Sequence, residues 1–470
     1  MGGGSGGHIT PIVAIVDSLR HSGLDPESSN CDGIASKAKQ SNSALTAASD
    51  SSLHHRTCVS KTSYAVEPVE PYSSKSDKSV LEESEPIGQV RNIRFQDANL
   101  VNDDEENCPG ALAPSKNLDI RVWVDKKFAS QTRQLLDNKT RVDVIASGKL
   151  RRYTNLTFWH RWFSWYHLRR THLPNFMDFF KIVGGFIQSF FKLVFWRPDV
   201  IFCKGGYVCL PVGLAAHALK IPLVIHDSDT VPGLTNRVLA RFATAIGTGA
   251  PVENYPGYPK SKTKFVGIPV RPEFKHLDEK ERESAKKHLG LDSKKPLIFA
   301  TGGGLGATEL NAAVAKNAAE IIKNDTQILL LTGKGKTVDV PSDLKKDFVT
   351  KDFLTDDFAL ATSAADIAVV RAGATSMAEL AAVGAAVIII PSPYLSGDHQ
   401  TKNAAVYGKA EAAVVLNQKE LDQEPELLAK AILELLNDKD LHKKLGQNLA
   451  KFARPNALQE MVDMILKAAK

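Results

Sequence analysis

Two glycine-rich loops, Gly2-Gly3-Gly4-Ser5-Gly6-Gly7-His8 and Gly302-Gly303-Gly304-Leu305-Gly306, each run straight into helical periodicity at the head of a separate half of the chain. Glycines let backbone N–H groups approach a phosphate closely, and the positive end of the following helix favours its charge. One such loop is equally well a tight strand-to-helix turn, because glycine is the default residue for strained connections. Two in corresponding places point to two phosphate-handling edges facing one cleft. At 470 residues the chain exceeds one ordinary core, so two domains plus additions are expected.

Apolar runs alternate with helical periods, the pattern of parallel sheets covered by helices on both faces. Strands are predicted at Leu118 to Val124, Val142 to Ile145, Val200 to Cys203, Leu223 to His226, Leu297 to Thr301, Ile328 to Thr332, Ile367 to Arg371 and Ala386 to Ile390. Thr10 can cap the first helix, with Pro11 at its first position. The fold class is α/β: two doubly wound Rossmann-like domains with a cleft between them. Residues 1–20 and 118–266 form the first domain, 267–450 the second, and 451–470 a C-terminal helix that can return to the first. Residues 21–117 are rich in Ser, Asp, Glu, Asn and Lys and read as a disordered insertion, unable to offset its ordering entropy. The stretch Pro251 to Pro272 lacks helical period and reads as the linker between domains. The first glycine loop directly follows Met1 where a buried strand belongs, so either the true start lies upstream or the sheet lacks a central strand. The first alternative is the expectation.

Composition excludes several classes. Lys+Arg 59 against Asp+Glu 53 gives a net charge of +6, too small to imply a nucleic-acid partner. The five cysteines show no metal-ligand spacing, so neither a structural metal nor a cofactor is expected. No signal-peptide pattern and no clean apolar stretch of membrane-spanning length is present, so a cytoplasmic location is expected.

Several residues stand where chemistry would. Glu379 falls in the early turns of the helix after the Ile367 to Arg371 strand, where a carboxylate can accept two ribose hydroxyls or merely complement a helix dipole. Gln400 and Asn403, in a polar run after the next strand, offer amides to sugar hydroxyls; the plain alternative is a solvated loop with a helix cap. His8 and the run His226-Asp227-Ser228-Asp229 emerge at one sheet edge, where an imidazole or carboxylate could take a proton from an attacking hydroxyl. A lone histidine after a loop is more often structural. Arg271, beside the linker, could reach a diphosphate from the hinge or be a surface charge.

The segment Phe158 to Trp196 combines Trp159, Trp162, Phe179, Phe186, Phe190 and Trp196 with clustered arginines. Along Met177 to Trp196, Lys181, Gly185, Gln188 and Lys192 make one polar stripe. An interfacial helix carries aromatics in the headgroup layer and basic residues on anionic lipid, so membrane attachment is expected, with part of the face packing on the sheet.

Taken together, GGGSGGHITP, KGGYVCLPVGLAA, IHDSDTVPGLTNRVLA, GIPVRPEF, ATGGGLGATELN, VVRAGATSMAELAAVG and GDHQTKNA resemble, in order, the motifs of the MurG family. These are peripheral-membrane N-acetylglucosaminyltransferases that complete lipid II. The resemblance implies a GT-B fold, with undecaprenyl-linked lipid I on the N-terminal domain and UDP-N-acetylglucosamine on the C-terminal one. It implies that Glu379 holds the uridine ribose, that Arg271 with Gly303, Gly304, Leu305 and Gly306 holds the diphosphate, and that Gln400 and Asn403 hold the sugar. Ser5, Gly6, Gly7 and His8 would face the acceptor diphosphate, with His8 or Asp229 as base.

Two departures stand out: Gly304-Leu305 where the family often has Ser-Gln, and Asp227-Ser228-Asp229 where it often has Glu-Gln-Asn. The implied activity is inverting, metal-independent transfer of N-acetylglucosamine, on the cytoplasmic face of the membrane, in peptidoglycan synthesis. Another GT-B transferase with a glycolipid acceptor, or an inactive membrane-bound scaffold, are the alternatives. Oligomeric state is not readable.

Overall fold

The structure of the chain is a computed structural model that describes residues 10–21, 89–95, 118–136, 140–148, 173–304, 306–355, 357–393 and 399–470. The first sheet holds β1 (Gln89–Phe95), β2 (Leu118–Val124), β3 (Arg141–Val144), β4 (Val200–Cys203), β5 (Leu223–Asp227), β6 (Ala245–Thr248) and β7 (Thr263–Phe265), in the order β3-β2-β1-β4-β5-β6-β7. The second holds β8 (Leu297–Thr301), β9 (Gln327–Leu331), β10 (Phe348–Lys351), β11 (Ile367–Val370), β12 (Ala386–Ile389) and β13 (Val414–Val415), in the order β10-β9-β8-β11-β12-β13. All pairs in the second sheet are parallel. Its order reverses between β8 and β11, so the crevice outside their carboxyl ends is where such a sheet binds ligands.

Fourteen α-helices are described. They are α1 (Thr10–His21), α2 (Ala129–Leu135), α3 (Leu173–Phe195), α4 (Cys209–Ala218), α5 (Leu234–Leu239), α6 (Glu279–His288), α7 (Thr308–Ile322), α8 (Asp357–Ala364), α9 (Ala374–Val383), α10 (His399–Lys409), α11 (Gln418–Gln423), α12 (Leu427–Asn437), α13 (Lys439–Ala450) and α14 (Ala457–Ala469). Strands β4, β5, β8, β9, β11 and β12 are buried along their whole length, as near-continuous Val/Ile/Leu runs require when helices cover both faces. α14 packs Met461, Val462 and Ile465 against Ile12, Ile15, Val16 and Leu19 of α1 and against β4 and β5, so the last helix closes the core of the first sheet.

β1 corrects the reading of residues 21–117. Residues 89–95 are not part of a structureless insertion: they run antiparallel between β2 and β4, pairing Ile93 with Ile120 on one side and Val200 on the other. The sheet therefore does not lack its central strand. The backbone groups of β2 and β4 that would otherwise lie unpaired in the middle of the sheet are met from the insertion. The rest of 22–117 lies outside the described residues. The Pro251 to Pro272 stretch is likewise not wholly irregular, since β7 within it extends the sheet beside β6.

α3 packs part of its length on the sheet, as expected, but with much of the polar stripe inward. β3 is an edge strand, whose outer N–H and C=O groups need partners. The Gln188 amide donates to the Val144 carbonyl at 3.0 Å and accepts from the Ala146 N–H at 2.9 Å, and Lys192 pairs with Asp143 at 3.0 Å. Gly185 lies so close that a Cβ there would sit 1.9 Å from the Ala146 carbonyl oxygen. Gly185, Gln188 and Lys192 of the polar stripe thus face the sheet edge beside the buried Ile182 and Leu193, while Lys181 stays exposed, and three residues expected at the membrane belong to the protein side. Trp196 is buried, donating its indole N–H to Asp119 at 2.8 Å with Arg121 stacked at 4.2 Å, while Phe186 and Phe190 are half-buried against the first core. Phe179 is exposed as expected, together with Phe176, Phe180, Val183, Ile187, Phe191, Val194 and Phe195, between 40% and 84% exposed. Trp159 and Trp162 lie outside the described residues. Among the described residues no helix is long and apolar enough to cross a membrane.

Candidate active site

The second sheet builds a pocket at its switch point. β8 ends at Thr301 and turns through the glycine loop into α7. Gly306 has φ +65°, and a Cβ there would lie 2.0 Å from the Thr332 carbonyl oxygen, so only glycine lets the loop press on the end of β9. The loop is braced internally: the Gly303 N–H bonds the Thr301 hydroxyl at 3.1 Å, the Gly306 N–H bonds the Gly303 carbonyl at 2.8 Å, and Lys336 bonds the Gly306 carbonyl at 3.0 Å. Two amides expected to cradle phosphate are therefore already committed. Gly303 and Gly304 line the pocket, and Leu305 lies outside the described residues.

Around a cavity of about 120 Å³ stand Thr301, Gly303, Gly304, Phe353, Leu354, Thr355, Thr375, Ser376, Glu379 and Arg271. α9 opens at Ala374, so Thr375, Ser376 and Glu379 come within its first two turns, where the helix dipole adds positive potential. Glu379 is only 3% exposed. Burial pushes its carboxyl up to about 8, opposed by the Arg271 guanidinium. Arg271 is half-buried in the linker after β7, its guanidinium 5.5 Å from the Phe274 ring. The structure thus brings Glu379, Arg271 and the glycine loop together. The loop after β10, Phe353-Leu354-Thr355, was missed; its short strand is not continuously apolar, and the sequence carries no glycine there, the available signal being the acidic residues Asp352, Asp356 and Asp357 around it.

Gln400 and Asn403 both make hydrogen bonds within the fold. Gln400 accepts from the Ser392 N–H at 3.0 Å. Asn403 is buried, donating to the Ala372 carbonyl at 3.1 Å and accepting from the Thr230 hydroxyl at 2.7 Å. Its amide holds α10 to the loop before α9 and to the loop after β5, so reading a sugar hydroxyl would require replacing a bond already made.

At the carboxyl edge of the first sheet, Lys204 directly follows β4 and is 2% exposed. Its ammonium donates to His226 Nδ1 at 2.9 Å and to the Ser228 hydroxyl. The other ring nitrogen, Nε2, faces the Gly267 carbonyl at 2.7 Å, so the proton sits on Nε2 and Nδ1 accepts. Burial lowers the Lys204 ammonium to about 8 against the pull of Asp227 and Asp229, and raises Asp227 to about 6. Asp227 accepts from the Tyr258 hydroxyl at 2.7 Å and the Gly233 N–H at 3.1 Å. Asp229 is half-buried at the lip, its carbonyl accepting from the Tyr255 hydroxyl at 2.7 Å. Lys204 was not singled out from the sequence; a lysine between a buried strand and Gly205-Gly206 was the available signal. His8, Ser5, Gly6 and Gly7 lie outside the described residues.

The sequence has known relatives. Residues 131–248 match the glycosyltransferase family 28 N-terminal domain, and residues 297–461 match the glycosyltransferase family 28 C-terminal domain. A UDP-N-acetylglucosamine--N-acetylmuramyl-(pentapeptide) pyrophosphoryl-undecaprenol N-acetylglucosamine transferase of Flavobacterium psychrophilum is 35% identical over 300 residues, 64% of this chain and 80% of that protein. The chain belongs to the MurG family of family 28 glycosyltransferases. A MurG relative of the same description from Halothermothrix orenii is 35% identical over 307 residues, 63% of this chain and 81% of its own. Among solved structures, that of Acinetobacter baumannii MurG is 27% identical, with a TM-score of 0.47, covering 62% of this chain and 79% of that one. The two family 28 matches fall on the two sheets, and the fold is the two-domain α/β arrangement of GT-B enzymes.

Proposed function

We propose that the chain transfers N-acetylglucosamine from UDP-N-acetylglucosamine to the muramyl sugar of lipid I, forming lipid II. What carries the reading is Glu379, buried at the switch point of the second sheet beside Arg271, within a family whose members are named for this reaction. A buried carboxyl at the head of α9 suits two ribose hydroxyls, with the exposed Asp352 also lining the pocket. A guanidinium on the linker suits a diphosphate. In a single displacement the sugar passes through an oxocarbenium-like state, and the charge that develops lies on the departing UDP. Arg271 and the α9 N-terminus would stabilise that charge more than the ground state, which is how binding becomes rate. Asp229 at the lip of the first sheet, or His8, would take the proton from the acceptor hydroxyl, and no metal ion is required by these groups. The exposed face of α3 would hold the enzyme on the cytoplasmic leaflet, where the lipid-linked acceptor resides.

The test is UDP release from UDP-N-acetylglucosamine with a lipid I analogue, alongside other UDP-sugars as competing donors. Arg271→Gln is expected to raise the donor KM and lower kcat/KM by about 10- to 100-fold. Asp229→Asn or His8→Gln, whichever is the base, lowers kcat by about 100-fold or more with little change in donor affinity. Uridine diphosphate located away from Glu379 and Arg271 in a crystal of the complex would overturn the assignment.

A further inference from the structure

We propose that a second cavity, beside the interdomain linker, binds an amphipathic anion: a compact aromatic or short-acyl body with one phosphate, sulfonate or carboxylate head, which draws Arg271 away from the donor pocket. The cavity measures about 720 Å³, within the range of small-molecule sites. Its walls are apolar, with Val270, Phe274, Tyr407 and Phe452 facing a floor made by α9. That floor is Ala374, Ala378 and Ala382, one residue per turn, while Thr375, Ser376 and Glu379 of the same helix line the donor pocket. One helix therefore separates two sites, an apolar one and a polar one.

Charge selects the occupant. Arg271, Lys275, Lys451 and Arg454 line the cavity with His276, and no aspartate or glutamate does. Lys275 is paired with Glu281 and Lys451 bonds Asn448. The two arginines are instead held against rings, Arg454 at 4.2 Å from Phe265 and Arg271 at 5.5 Å from Phe274. The Arg271 Nε–H is buried without a hydrogen-bond partner, a cost that an anionic acceptor removes. Because Arg271 lines both cavities, an anion in one competes with the diphosphate in the other, and the effect is reciprocal. This coupling rests on the donor reading of Arg271; occupancy of the cavity does not.

Titrating the full chain with 8-anilinonaphthalene-1-sulfonate, an aryl sulfonate that fluoresces in apolar sites, reads the proposal. The exposed face of α3 takes up dye equally in every variant, so the component that counts is the one lost on substitution. Arg454→Gln is expected to weaken that component at least tenfold, and Ala382→Trp to abolish it by filling the floor. Saturating dye is expected to weaken UDP binding several-fold by calorimetry. UDP binding in the absence of dye shows each variant to be folded and tests the donor reading separately; should Ala382→Trp not fold, the exposed Arg454 carries the test alone. Dye isotherms of the variants that overlay the wild type overturn the site. Equal UDP affinity with and without dye overturns the competition, and inorganic phosphate binding as tightly as the dye overturns the amphipathic occupant.

Discussion

Glu379→Gln offers the sharpest physical test of the donor pocket, because the substitution keeps the shape and removes only the ability to ionise. In the folded chain the carboxyl ionises near 8, against an ordinary value of 4.5. As pH rises from about 4.5, the unfolded chain gives up this proton while the folded chain retains it. The folded state then binds more protons, so stability falls with rising pH until about 8, beyond which the contribution is gone. Fully developed, the difference is worth about 5 kcal/mol at ~1.4 kcal/mol per tenfold, an upper bound in an interior that relaxes around a charge. The glutamine variant cannot lose that stability. Its own packing cost is the same at every pH, so the stability gap between variant and wild type must widen in the variant's favour from pH 5.5 to 8.5. Even half the bound is about 5–10 °C in relative melting temperature for domains of this size. Calorimetric melts of both proteins at matched ionic strength, without nucleotide, read the gap. Adding Arg271→Gln removes the opposing cation and moves the wild-type inflection to higher pH. Two melting curves that stay parallel across that range would refute the claim that Glu379 is buried and neutral.

The remaining expectations concern α3 and the chemistry. Gly185→Ala forces a methyl to within 1.9 Å of the Ala146 carbonyl, so α3 must lift from β3 at a cost of about 3 kcal/mol or more, measured by denaturant melts. Phe180→Glu with Phe191→Glu removes two exposed aromatics and is expected to weaken sedimentation with anionic vesicles at least tenfold while UDP affinity stays unchanged; Trp196→Phe, buried on Asp119, leaves vesicle binding intact and lowers stability by about 1–2 kcal/mol. Excess EDTA is expected to leave UDP release within about twofold of the untreated rate, since guanidinium and helix-terminus donors supply the charge stabilisation.

What was legible in the sequence follows from the range of the forces involved. β4 and β8 coincide with the predicted runs residue for residue, and β5, β9, β11 and β12 to within one, because strands buried on both faces must be continuously apolar whatever surrounds them; β2 also coincides, though its partly buried run alternates with Asp119 and Arg121. That Glu379 and the glycine loop come together was readable because each follows a strand end of one sheet, and strand ends define the ligand edge. The bonds of Asn403 were not legible for a different reason. A buried amide bonded to Thr230 and Ala372 and an exposed amide awaiting a sugar have the same local sequence, and only the approach of β5 decides between them. Lys204 escaped notice because its partners, His226 and Ser228, stand more than twenty residues along the chain.

The two largest misreadings share a cause, the need of backbone groups for partners. Periodicity showed correctly that α3 has a polar stripe and an apolar one, but the rule that an amphipathic helix buries its apolar side assumes an apolar surface to meet. Here the helix meets the edge of β3, whose carbonyl and amide groups prefer Gln188 to any phenylalanine. Turning the polar stripe inward leaves a file of aromatics outside, so the same edge that needs capping also produces the exposed apolar face. β1 obeys the same logic at the centre of the sheet. Gln89–Phe95 is a short run containing Val90, Ile93 and Phe95 inside a long polar segment, too brief to offset its own ordering. It becomes a strand because β2 and β4 present it with two unpaired edges at once, a condition set by residues that no local window includes.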